Sequence, residues 1–308
     1  MKRTISDFLI FLGILSLLAL YWASGWLAAP AGHGFISGMW AALALAGGAL
    51  LVYFTSDRAL NQLNPVAPVA YLILASAHPA ALFATPLHAA AVLLAASLYC
   101  LLSYCSFHPS LANLSGMGIS LGAASLFFPP LLWLAPVYGL LAVGRAADKA
   151  KFAVTAILSL ILPIAAYAGI RLLLGNGLSA DEIPDFWQRM TALTRPSLAM
   201  PASTLCRILL TVAATAMAFI QLFRRMDRYR TAPYRAALRL LFLTLAIGLL
   251  VLLFLSDGSQ PAGLVMALPV SMLLGDCFGQ PEHRVKGLTT LIIILLVILV
   301  AERIACFV

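Results

Sequence analysis

The chain has 308 residues, a formal net charge of +8, 63% apolar residues and only 10% charged ones. A mean hydropathy of +1.01 excludes a soluble globule of ordinary composition. The charges fall at the ends of long apolar runs or between them, which is the pattern of an all-α, polytopic transmembrane helical bundle. Confined in this way, the basic excess is a topology signal rather than a nucleic-acid surface.

Taken in chain order, Lys2 and Arg3 precede a first run over 8–28. It is too long for the apolar core of a signal peptide and reads as an uncleaved first span. Further spans are expected at 35–54, 66–83 and 87–105. The stretch 114–144 is too long for one span and contains Pro129-Pro130. Pro130 lacks an amide proton and disfavours helical geometry at Pro129, so the stretch divides into two spans at that pair. Spans over 152–174, 202–223, 236–255, 262–274 and 287–304 bring the total to about eleven. The chain is then a single integral membrane domain, 1–308. Gly34-x-x-x-Gly38 and Gly118-x-x-x-Gly122 carry the small-residue spacing that lets helices approach closely.

The positive-inside rule orients this arrangement with the N-terminus in and the C-terminus out. Lys2, Arg3, Arg58, Arg145, Lys149, Lys151, six arginines within 224–239, Arg284 and Lys286 then share the cytoplasmic side, 14 of the 19 basic residues. An unbroken fifth span would put Arg145–Lys151 opposite Arg58, so charge and proline placement agree. The cluster Arg224–Arg239 anchors the topology against anionic lipid, and could instead dock a cytoplasmic protein partner.

The loop 175–201 falls outside. Ser179 is a suitable N-cap, Asp181, Glu182 and Asp185 occupy the first turns, and Ile183, Phe186, Trp187, Met190 and Leu193 repeat at helical spacing. This predicts a short amphipathic helix on the outer membrane surface. The span centres hold no charged residue, which argues against an ion-coupled carrier. His33, His78 and His88 approach the outer face, but neither they nor the five cysteines have the pattern of a metal site or a disulfide framework. No metal and no cofactor is expected. Membrane lipids are the expected partners.

The outer polar groups carry what chemistry there is. Arg189 and Arg195 suit a lipid phosphate, because the guanidinium fork pairs with phosphate oxygens. Asp181, Glu182 or Asp185 could orient or deprotonate an acceptor hydroxyl. His33 and Asp257 are candidates for the acceptor side.

The stretch 116–138, GMGISLGAASLFFPPLLWLAPVY, with the basic turn Arg145–Lys151 and the Pro163-bearing span after it, resembles the paired short helices of GT-C-type membrane glycosyltransferases. His78-Pro79-Ala80 and the stretch LPVSMLL at 268–274 also resemble a bacterial family of polytopic membrane proteins with no assigned activity. The GT-C resemblance implies a GT-C-like architecture in the bacterial cytoplasmic membrane, an extracytoplasmic site and a polyprenyl-phosphate-sugar donor. The chain departs from that pattern in its first outer loop, 29–34, where those enzymes carry a catalytic carboxylate and this sequence offers only His33. Asp181, Glu182 or Asp185 would have to replace it, or the chain is a relative without transferase activity.

Overall fold

The computed structural model describes residues 22, 35–60, 66–76, 83–106, 110–146, 148–174, 182–191, 216, 220, 239–248, 263–278 and 297. Among them the backbone is almost wholly helical, with no strand. The elements are α1 (Phe35–Leu60), α2 (Val66–Ala75), α3 (Pro86–Ser106), α4 (Leu111–Phe127), a 3-10 turn (Pro129–Leu134), α5 (Ala135–Val143), α6 (Lys149–Leu173), α7 (Glu182–Thr191), α8 (Arg239–Gly248) and α9 (Gly263–Phe278). Three of these, α1, α3 and α6, are long and apolar enough to cross a membrane. The expected spans 8–28, 202–223 and 287–304 lie, apart from isolated positions, outside the described residues.

The break in 114–144 falls at the proline pair. Phe128 caps α4 through its N–H to the Ala124 carbonyl, at 3.0 Å, and Pro129 opens a 3-10 turn instead of continuing the helix. The chain then runs back. Tyr104 in the last turn of α3 donates its hydroxyl to the Ala142 carbonyl in the last turn of α5, at 2.9 Å. Arg145 donates to the carbonyl of Cys105 at 2.5 Å, supplying a cation and a donor to the C-terminal end of α3. The ends of α3 and α5 and the starts of α4 and α6 therefore share one end of the bundle. Arg145, Lys149 and Lys151 are all exposed there, and we call it the basic end. Ala84 donates to Ser37 Oγ at 3.0 Å, which places the start of α1 beside the start of α3 at the opposite end.

Helices as apolar as these would gain little in lipid from the hydrophobic effect on association, so close packing and hydrogen bonds must hold them. Gly118 and Gly122 supply the closest approach. A methyl group on Gly118 would collide with Ser159 Oγ of α6, and one on Gly122 with the Leu160 carbonyl. Pro163 interrupts the amide ladder of α6 at this crossing, and its ring lies over Gly122. The core joins α1 through α6, α8 and α9, with Leu94, Leu98, Leu101, Leu114 and Leu121 among its fully buried side chains. Ser97 bonds the Met117 carbonyl (3.1 Å) and Tyr138 bonds Thr244 (3.1 Å), and each such interhelical bond contributes about 0.6 kcal/mol in a bilayer.

One expected boundary is corrected. The run over 66–83 does not form a continuous helix: α2 stops at Ala75, Ser76 lies in a turn, and Phe83 and Ala84 are non-helical. Pro79 disfavours helical backbone at His78, and hydropathy alone cannot register that interruption. Elsewhere the shifts are smaller. α1 extends to Leu60, α3 matches 87–105 to within a residue at each end, α4 starts at Leu111, α6 starts at Lys149, and α9 runs to Phe278.

Candidate functional site: a step beside the proline turn

The proline pair makes α4 shorter than its neighbour. Gly122 meets α6 at Leu160 and Pro163, and only five residues remain in α4 beyond it. α6 continues for ten residues past Pro163, so at the helical rise it overhangs α4 by roughly 8 Å. The packed row of α6 runs Phe152, Ala156, Ser159, Pro163. Continued at the helical period it becomes Tyr167, Ile170 and Leu174, which are 44%, 56% and 69% exposed. The side of α6 that packs on α4 is thus uncovered above Phe127, which is itself exposed together with Trp133. The result is an apolar, aromatic step at the end opposite the basic residues.

α7 adjoins the same turn. Trp133 donates its indole N–H to the Met190 carbonyl at 3.2 Å, and Met190 is buried. This docks the last turn of α7 on the 3-10 turn and leaves Trp187 outward. The helix is strongly amphipathic, as its sequence pattern predicts. Arg171, in the last turn of α6, donates to Tyr167 Oη at 3.1 Å, with its guanidinium 5.9 Å from the ring centre. An arginine stacked on tyrosine at a helix end suits a bilayer interface.

Of the predicted site residues, Asp185 and Arg189 are resolved side by side. They form an ion pair at 2.7 Å, four residues apart on the exposed face of α7. Exposed pairs of this kind contribute about 0.3–0.5 kcal/mol, whereas a charge-assisted hydrogen bond to phosphate is worth about 1.5–3 kcal/mol. The pair therefore holds Arg189 only weakly. Glu182 is the first residue of α7, and nothing further is described of its side chain. Asp181, Arg195, His33, Asp257 and His78 lie outside the described residues, as does the Arg224–Arg239 cluster except Arg239, which opens α8 exposed. His88 is buried in the first turn of α3, its Nδ1 2.9 Å from Thr85 Oγ1. Among the described residues no group of three or more metal-ligating side chains occurs.

Sequence reasoning did not single out Phe127, Trp133 or Tyr167. The proline pair was their signal, because a shortened helix beside a full-length one must leave a step. No protein family matches the chain, and neither a curated protein nor a solved structure is similar to it.

Proposed function

We propose that the protein is a multi-pass protein of the bacterial cytoplasmic membrane that binds a lipid phosphate, of the polyprenyl-phosphate class, at its extracytoplasmic surface. The observation that carries this reading is the step beside the proline turn. The exposed Phe127, Trp133, Tyr167 and Ile170 offer a long apolar chain a surface shorter than the surrounding bundle. The docked α7 brings Arg189 and Asp185 to the adjoining surface. On this reading the chain has about eleven spans, with the N-terminus and Arg224–Arg239 in the cytoplasm. The Gly-rich hairpin over 111–143 agrees with a GT-C-like relative acting in envelope-lipid or lipid-linked glycan metabolism. Arg189 and Arg195 hold the phosphate. Asp181, Glu182 or Asp185 would serve an acceptor if the protein is a transferase, and His33 and Asp257 would lie on the acceptor side.

Mass spectrometry of lipids co-purifying with the protein tests this. A bound polyprenyl phosphate, lost or weakened ten- to hundredfold in Arg189→Ala and Arg195→Ala, is the expected result. Unchanged lipid content in both variants would refute it.

A second reading is a non-enzymatic membrane scaffold whose cytoplasmic partner docks on Arg224–Arg239. It is favoured by the continuous apolar core, in which no charged side chain is buried among the described residues. Crosslinking a cytoplasmic protein to that loop, without bound lipid phosphate, would select it.

A further inference from the structure

We propose that the basic end of α6 is a binding site for an anionic phospholipid of the leaflet on that side, opposite the lipid-phosphate site above and independent of it. Two rows run along α6. Lys149, Phe152, Ala156, Ser159 and Pro163 share one row, which packs: Phe152 lies against Tyr104 with ring centres 6.0 Å apart, and Ala156 and Ser159 are buried. Lys151, Val154, Leu158 and Ile161 share the other, flanked by Ile157 and Leu162. All five of these apolar side chains are exposed.

Lys151 is therefore the polar head of an apolar track, in which Thr155 turns its hydroxyl back to the Lys151 carbonyl at 2.9 Å. From Lys151 to Leu162 is eleven residues, about 16 Å at the helical rise, or roughly half the ~30 Å hydrocarbon core. The track is one leaflet deep and carries its cation at interface level. Arg145, in the turn after α5, adds positive charge at the same end. The carboxylate nearest in sequence, Asp148, is occupied as the N-cap of α6, accepting from the Lys151 N–H at 3.2 Å. A phospholipid with an anionic headgroup matches both features: phosphate at Lys151 and acyl chains along Val154–Leu162. A zwitterionic lipid matches only the track, and a free phosphate only the lysine.

The test uses the full-length protein in phosphatidylcholine nanodiscs doped with phosphatidylglycerol, read by native mass spectrometry of retained lipid. Phosphatidylglycerol should be retained over phosphatidylcholine, and inorganic phosphate should not displace it. Lys151→Gln should weaken that retention about fivefold, the effect of one interfacial cation. Lys151→Arg should keep it. Lys149→Gln, on the packed row, should weaken it clearly less than Lys151→Gln does. Equal retention of the two lipids, displacement by inorganic phosphate, or equal losses for the two lysines would each overturn the site. Because Lys151→Arg keeps both fold and charge, a misfolded glutamine variant would not leave the question open: loss of retention in a folded arginine variant also counts against it.

Discussion

Three glycine-to-alanine substitutions should separate in sign, and the crossing of α4 and α6 decides which way each goes. At Gly122 the new methyl group would overlap the Leu160 carbonyl and press on Pro163 Cδ at 3.3 Å. The obstacle is backbone in a neighbouring helix, so the side chains cannot relieve it by rotating, and the helices must part. Overpacking of this kind costs about 1–3 kcal/mol, while replacing a mid-helix glycine by alanine returns about 0.5–1 kcal/mol. The net expectation is a loss of up to about 2.5 kcal/mol, centred near 1 kcal/mol. At Gly139 in α5 and Gly169 in α6 a methyl group meets nothing within 4 Å. Those two variants should therefore gain about 0.5–1 kcal/mol from the same backbone term alone. Reversible unfolding in mixed micelles, titrated with a denaturing detergent, reads all three against wild type. If Gly122→Ala proves as stable as Gly139→Ala, the close crossing at Leu160–Pro163 is wrong, and with it the overhang that defines the step.

Trp133→Phe keeps an aromatic ring and deletes the donor to the Met190 carbonyl. It should cost about 1 kcal/mol locally and raise amide exchange within 182–191, with bundle stability unchanged; unaltered exchange would show that the bond does not hold α7. Tyr104→Phe removes the link from α3 to Ala142 and should lower stability by about 0.6 kcal/mol, which the same detergent titration would detect. Arg145→Gln should cost more than Tyr104→Phe, because it strips charge as well as a donor from the carbonyl end of α3. Single cysteines at Ser179 and Thr231 should label from opposite sides of the membrane, and labelling from the same side would overturn the eleven-span topology.

The hairpin was legible in the sequence because its cause is local. Pro129-Pro130 removes amide donors, and no tertiary contact can restore them. The end of α2 at Ala75 was not legible, although Pro79 stood nearby, because the flanking residues are as apolar as a continuous span. Gly118-x-x-x-Gly122 announced a close approach without naming its partner. The glycines meet Ser159, Leu160 and Pro163, which lie some forty residues away in sequence. α7 was visible for the opposite reason: it faces water on one side, so its pattern alternates, although the Asp185–Arg189 pair was missed because the two residues were assigned separate roles. The step was only half legible: the proline pair marks where α4 ends, but the overhang depends on which helix packs beside it.

The two rows of α6 show where sequence reading of a membrane helix stops. Val154, Ile157, Leu158, Ile161 and Leu162 are exposed, while Phe152, Ala156, Ser159 and Pro163 pack, yet both rows read as apolar. Lipid and protein interior solvate such side chains alike, so no hydrophobic period marks the buried side. Two cues break that symmetry. The packed row is the one with small or ring-closed residues, Ala156, Ser159 and Pro163, because a neighbouring backbone must come close there. The exposed row is the one with branched, bulky residues, and its lysine sits in the first turn of α6. Size, rather than polarity, separates the two sides of α6, and the placement of Lys149 and Lys151 on different rows turns that separation into different expected roles for two neighbouring lysines.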